Sequence, residues 1–217
     1  MADAADLKSA GAILVGSSPT PGTTKKGQAM PWLFILLGYL LGAIPTAYLA
    51  GHMVRHVDIR QVGDQNMGAA NAYRQLGPKT GIIVGLIDAG KGALAVLIAQ
   101  AAGIPLLAVM AVGAAAVIGH NWPVFIGFRG GRGVNTTIGV FLAVITLPML
   151  IVGGPAILVL LLKRNVTLSC AVLFIPLSPV CWWLGSPAPL VSYSIALPVL
   201  VGFTHFLRTR RQVPRHA

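Results

Sequence analysis

The sequence predicts an all-α integral membrane protein, a transmembrane bundle of about seven helices carrying cytosolic glycine-rich loops. Three observations predict it. Of the 217 residues, 55% are hydrophobic and only 10% charged, against about 25% charged in a soluble domain; mean hydropathy is +0.78. A soluble chain of this length would need polar side chains over a large surface, so lipid must be the solvent for much of the exterior. Apolar stretches long enough for roughly 30 Å of hydrocarbon recur along the chain. Basic residues fall in short clusters between those stretches, the positive-inside arrangement.

The elements follow in order. Residues 1–29 are dominated by Gly, Pro, Ser and Thr from Gly16 to Gly27 and predict a disordered tail. Residues 10–15 are too short for the apolar region of a cleaved signal peptide. Residues 31–54 form the first span, with Pro45 placed to kink it or open its hydrogen bonding. A polar loop, 55–79, carries Arg55, Arg60, Arg74 and Lys79. Spans follow at 81–102 and 105–118, then a glycine-rich loop at 119–137 with Arg129 and Arg132. Residues 138–162 are apolar but interrupted by Pro148 and by Gly153-Gly154-Pro155, and Lys163-Arg164 follow. The last spans are 166–184 and 189–207, ending in Arg208, Arg210, Arg211 and Arg215. The division is a tail (1–29), a membrane domain (30–210) and a basic end (211–217).

Topology follows from charge. Every basic cluster after the tail is expected on the cytosolic side, and the uncharged turns near Gly103, Gly153 and Gly185 outside. That requires 138–162 to go out and return, in halves of roughly 15 to 18 Å each. The expectation is seven crossings with the N-terminus outside; five crossings plus a re-entrant hairpin has the same parity. Lys8, Lys25 and Lys26 in the tail weigh mildly against an outside N-terminus.

Sixteen Lys and Arg stand against five acids, Asp3, Asp6, Asp58, Asp64 and Asp88, a formal net charge of +11. That balance points to anionic lipid or a phosphorylated substrate. Nucleic acid is excluded as a partner by the placement of the cations between apolar spans. Cys170 and Cys181 lie in apolar stretches and read as buried hydrophobes. No spacing suggests a metal site or a disulfide framework.

Three segments carry candidate chemistry. In Gly119-His120-Asn121-Trp122-Pro123-Val124-Phe125, followed by Phe128-Arg129-Gly130-Gly131-Arg132-Gly133-Val134, glycines alternate with cations. Glycine lets successive N–H groups turn toward one anion, and arginine adds bidentate phosphate binding. Thr136 and Thr137 then open an apolar helix, whose N-terminus favours anions. The Walker spacing is absent; the plainer reading is a flexible loop with arginines at the headgroups. The first loop, Asp58 to Arg74, is again rich in Gly and Asn with cations, and long loops are often functional. Asp88 and Lys91 share a helix face within a span, where ionisable groups are paired or functional. They read either as an internal ion pair or as Lys91 held by Asp88 to reach a phosphate.

Taken together, these segments resemble the signatures of the bacterial acyl-phosphate-dependent glycerol-3-phosphate acyltransferases. The resemblance rests on Gly42-Ala43-Ile44-Pro45, the Gly63–Arg74 loop, Asp88-x-x-Lys91-Gly92, Gly119-His120-x-x-Pro123-Val124-Phe125 and Gly130-Gly131-Arg132-Gly133-Val134, in that order, across roughly residues 31–210. It implies a seven-helix bundle with its site near the cytosolic face of the plasma membrane. It implies transfer of a fatty acyl group from acyl-phosphate to the 1-hydroxyl of glycerol 3-phosphate, giving lysophosphatidate and phosphate, with no metal or cofactor. Carried onto this chain, it implies Asp64, Arg74, Lys91, Arg132 and His205 as catalytic positions. Arg60, Gly63, Asn66, Gly68, Asn71, His120, Gly130, Gly131, Gly133 and Thr136 become the substrate-binding ones.

The chain also departs from that pattern. Asp64-Gln65 stand where the family has Ser-Gly, Arg132 where it has Lys, and Ala43 where it has Ser. After His205, Arg208 occupies the family's Asn position and no Glu follows. An Asp at position 64 would repel phosphate unless Arg60 or Arg74 neutralises it. None of His52, His56, His120, His205 and His216 has an Asp five places on, so the H-x-x-x-x-D pair of other glycerolipid acyltransferases is absent. The alternatives are a catalytically altered paralogue of the same fold, and a small anion transporter, against which the lack of an internal repeat argues. Oligomeric state is not readable from the sequence.

Overall fold

The computed structural model describes residues 30–212, with side chains described through Thr209; the expected tails, 1–29 and most of 211–217, lie outside those residues. Among the described residues the chain is helical, without strands. Helices α1 (Pro31–Gly42) and α2 (Thr46–Arg55) are followed by a 3-10 turn at Ile59–Gln61 and helix α3 (Ala69–Leu76). Then come α4 (Pro78–Ala101), α5 (Leu106–Asn121), a 3-10 turn at Val124–Ile126, α6 (Val134–Val144) and α7 (Thr146–Lys163). Helices α8 (Val166–Phe174), α9 (Leu177–Trp183) and α10 (Ala188–Gln212) complete it.

Six helical stretches are long and apolar enough to cross a membrane, two of them assembled from broken helices (α1–α2 and α8–α9). Helix α6 is the seventh apolar element but has only 11 residues, about 16 Å at 1.5 Å per residue. Large side chains such as Leu86, Leu107, Leu161 and Ile175 are exposed around the bundle, as a lipid-facing surface requires. The main core runs through α4 to α10 around Val96, Val112, Val117, Val140, Phe141, Leu177 and Leu197. A smaller core of Ala47, Ile59, Met67, Ala72, Leu76 and Val84 sits under the first loop.

The structure relocates several expected boundaries. The return within 138–162 is at Ile145, between α6 and α7, not near Gly153. Helix α7 runs unbroken through Gly153-Gly154-Pro155; neighbouring helices and local adjustments let membrane helices tolerate Gly and Pro. The polar loop contains α3, and α4 begins at Pro78, where proline suits a first helical turn. The threonines do not cap α6: its N-cap is Gly133 at φ +85°, with no side-chain cap, and Thr136 and Thr137 lie inside the first turns. The expected break at Pro45 is present, with α1 ending at Gly42 and α2 starting at Thr46.

Close backbone packing decides where the site lies. Gly92 of α4 abuts the Thr136 carbonyl, and Gly139 of α6 abuts the Ala89 carbonyl. At the far end of α6, Gln100 Nε2 donates to the Ala143 carbonyl at 3.2 Å. Helix α6 therefore starts about halfway along α4, and the glycine-rich loop before it is drawn down to that level.

Candidate functional site

The site starts from the break in the first span. Pro45 has no N–H, and with the helix interrupted, the Ile44 carbonyl accepts Lys91 Nζ at 2.9 Å. Lys91 Nζ also lies 2.9 Å from Asp88 Oδ1. His120 Nδ1, from the end of α5, lies 3.5 Å from that same oxygen. All three side chains are buried. A charge pair this deep is tolerable only when its members satisfy one another. The cluster pins α4 to the α1–α2 break and to the last turn of α5.

The other edge of His120 shapes the glycine loop. A side chain at Gly131 would collide with His120 Nε2, and one at Gly130 with the His120 carbonyl. The N–H groups of Gly130 and Gly131 donate to the Asn121 and His120 carbonyls at 3.2 and 3.0 Å. This differs from the expected anion nest: those two N–H groups are spent on the last carbonyls of α5, which have no N–H partner within the helix. The free N–H groups belong instead to the first turn of α6, which Gly133 leaves without a side-chain cap.

Buried polar atoms collect around that turn. Asn66 Oδ1, Asn121 Oδ1, Arg132 Nε and the hydroxyls of Thr136 and Thr137 have no hydrogen-bond partner among the described residues. Such atoms are rare, and each needs an explanation. A cation, hydroxyls and an uncapped helix N-terminus together form a receptacle for anionic oxygens.

The two loops meet there. Met67 brings its carbonyl against Gly131. Arg60 donates from one guanidinium nitrogen to the Ile126 carbonyl at 3.1 Å. Its others grip Asp58 at 2.7 to 3.1 Å, and its charge lies 4.8 Å from the Tyr48 ring centre. Arg60 thus braces the two loops. Its hydrogen bond holds the Asp58 carboxyl below the ordinary carboxylate range, against the smaller opposing effect of burial.

Asp64 is neutralised by Arg74, at 2.7 Å, and not by Arg60. Its Oδ1 accepts the Asn66 N–H at 3.2 Å, the local turn bond that Asp and Ser both make. Asn71 is fully buried and organises the loop from inside. Its Nδ2 reaches the Ile59, Val62 and Asn66 carbonyls at 3.0 to 3.2 Å, and its Oδ1 takes the Asp64 N–H. Gly63, at φ +62°, sits against Asn71 Oδ1, and Gly68 against the Asn66 amide. His205 is exposed on α10 within electrostatic reach of Arg132 and Asp64.

Of the sequence-predicted positions, Gly130 and Gly131 pack on His120, and Arg132, Gly133 and Thr136 follow at the start of α6; Asn66 precedes Met67, whose carbonyl meets Gly131, and His205 stands on α10 under the electrostatic influence of Arg132. Asp64 and Arg74 pair with each other on the first loop and α3, while Arg60, Gly63, Gly68 and Asn71 shape the loop. Lys91 lies behind, with 5% of its side chain exposed. Sequence reasoning assigned Asn121 and Thr137 no binding role of their own, although both lie in the glycine segment or the helix it opens, and passed over Thr204. Thr204 Oγ1 accepts Asn121 Nδ2 at 3.0 Å. Asn121 lies inside the quoted glycine block, so position alone marked it; Thr204 carried no signal.

A helical membrane bundle with an ion pair buried inside it, and with unpartnered polar atoms where two loops meet, defines the class: a multi-pass membrane protein with a candidate site for an anionic ligand. The sequence profile described as glycerol-3-phosphate acyltransferase matches residues 32–215. The chain is 54% identical over 182 residues to glycerol-3-phosphate acyltransferase 4 of Dehalococcoides mccartyi, covering 84% of this chain and 98% of that one. It is 38% identical over 173 residues to the glycerol-3-phosphate acyltransferase of a Synechococcus species, covering 80% of this chain and 86% of the other. Two crystal structures of PlsY, an integral membrane glycerol 3-phosphate acyltransferase, superpose with a TM-score of 0.73. One is the glycerol 3-phosphate form, at 33% identity, and one the lysophosphatidic acid form, at 32%; each covers 83% of this chain and 90% of that one. The chain belongs to the glycerol-3-phosphate acyltransferase family, and it is a multi-pass membrane protein.

Proposed function

We propose that the chain transfers a fatty acyl group from acyl-phosphate to the 1-hydroxyl of glycerol 3-phosphate at the cytosolic side of the plasma membrane, with its N-terminus outside. The observation that carries this is the contact of the Met67 carbonyl with Gly131 beside five unpartnered buried polar atoms. Two polar loops thereby share one anion receptacle, sunk beside the lipid-facing Ile82, Ile83, Leu86 and Ile87 of α4. Both proposed substrates carry a phosphoryl group and one carries an acyl tail, so each half of that surface has a ligand.

In the proposed step the glycerol oxygen attacks the acyl carbonyl carbon, a C–O ester bond forms, and the bond from that carbon to the phosphate oxygen breaks. Arg132 and the first N–H groups of α6 hold phosphoryl oxygens and stabilise charge on the departing phosphate. The hydroxyl proton passes to a substrate phosphate oxygen. An acyl-phosphate is already activated, which lowers the demand for a protein base. Lys91 acts from behind the loop as a fixed positive charge held by Asp88 and the Ile44 carbonyl.

The test is purified protein in detergent with acyl-phosphate and glycerol 3-phosphate. Lysophosphatidate and inorganic phosphate are expected in equal amounts. Product from an acyl thioester but none from acyl-phosphate would overturn the donor assignment.

A further inference from the structure

Helix α10 reaches the glycine loop through Asn121. Asn121 has no exposed surface. Its Nδ2 donates to Thr204 Oγ1 at 3.0 Å. Its backbone carbonyl accepts from Arg208 NH2 at 2.6 Å and from the Gly130 N–H at 3.2 Å. Its Oδ1 packs against Gly133, where a side chain would come within 2.7 Å. Thr204 and Arg208 are one turn apart, so they reach Asn121 from the same face of α10. His205 lies between them in sequence, in the field of Arg132. Thr204 in turn donates to the Leu200 carbonyl at 2.8 Å, which fixes its hydroxyl as an acceptor toward Asn121.

We propose that Thr204 and Arg208 are positioning residues that clasp Asn121 and thereby fix the Gly130–Gly133 turn, setting Arg132 and the α6 N-terminus for phosphate. This rests on the functional reading above only in naming phosphate as the ligand. The clasp acts on geometry, because the Thr204 hydroxyl, the Arg208 guanidinium and the Gly130 N–H all meet at Asn121. Loosening it displaces the loop that bears the anion contacts, and small misplacements at such a site weaken binding strongly.

The experiment measures binding of inorganic phosphate to the purified full chain by calorimetry, beside turnover. Thr204→Val removes the acceptor at nearly constant volume, and Thr204→Ser retains it. The expected result for Thr204→Val is about tenfold weaker phosphate binding and a comparable rise in KM for glycerol 3-phosphate, with kcat changed less. Thr204→Ser is expected within about twofold of the parent, and Arg208→Gln should resemble Thr204→Val. The double variant should be little worse than either alone, since both act through Asn121. Unchanged phosphate binding in Thr204→Val and Arg208→Gln overturns the clasp, as does a loss that follows melting temperature and is not rescued by serine. Failure of turnover in the parent with phosphate binding intact overturns the functional reading and leaves the clasp standing.

Discussion

Arg132 is the side chain on which the receptacle depends most directly. Its Nε is buried without a partner among the described residues, beside a helix N-terminus that has no side-chain cap. Removing a preorganised donor from such a site costs about 10²- to 10³-fold in rate. Arg132→Ala is therefore expected to lower kcat/KM at least about 100-fold, with Arg132→Lys intermediate because it keeps charge but loses the fork. Steady-state kinetics with glycerol 3-phosphate varied would show it. Lys91 predicts a different signature. Lys91→Ala leaves Asp88 buried and uncompensated, a loss of roughly 3 to 5 kcal/mol. A large fall in melting temperature in detergent is expected, partly recovered when Asp88→Leu is added. An unchanged melting temperature would show that Lys91 is not the pin described. Outside the spans, the Asp58–Arg60 brace has its own pH signature. The Asp58 carboxyl is depressed below its ordinary 3.8 by the Arg60 hydrogen bond. A depressed acid contributes stability that is fully present above its unfolded value and lost as pH falls through the folded one. The stability difference between parent and Asp58→Asn should be flat above about pH 4 and shrink below it. Thermal unfolding across pH 3 to 7 would test this.

At the scale of elements, the glycine block was readable in the sequence, and its purpose was only half so. Alternating glycines and arginines marked the anion loop, but the N–H groups of Gly130 and Gly131 close α5 instead of facing a ligand. Composition cannot reveal this, because a glycine that must approach a carbonyl and one that must expose an N–H read alike. The break at Pro45 was legible because proline lacks a donor. Its use was not, since Lys91 and Ile44 are 47 residues apart. Likewise Arg60 and Arg74 were both offered as neutralisers of Asp64; Arg74 takes that part, and Arg60 binds Asp58, two residues away and already folded toward it by the 3-10 turn. The Gly153-Gly154-Pro155 run misplaced a turn because helix breakers in lipid are not obliged to break helices. Gly131→Ala follows from this packing: a methyl there would drive into His120. Such a backbone has to shift, and a fall in kcat/KM comparable to Arg132→Ala is expected at little change in helix content, read by kinetics and circular dichroism together.

The arrangement of the whole molecule follows from one short element. Helix α6 has 11 residues and packs at its start against Gly92, midway along α4. Helix α5 ends at the same level, where His120 meets Asp88. The candidate receptacle is thus set into the bundle, with apolar α4 residues exposed beside it; in the proposed reaction the lipid-tailed substrate reaches it from the bilayer and glycerol 3-phosphate past the loops. This requires the first loop, the glycine loop and the α7–α8 turn at Arg164 to lie on one side, and the turns at Gly103, Ile145 and Gly185 on the other. From the positive-inside pattern of the basic residues we propose that the first set faces the cytosol. In a chain with Cys170→Ala and Cys181→Ala, Gln61→Cys should resist a membrane-impermeant thiol reagent in intact cells and react once the membrane is opened. Gly185→Cys should react without opening. The reverse labelling would invert the bundle, placing the receptacle opposite the compartment from which acyl-phosphate and glycerol 3-phosphate are proposed to come.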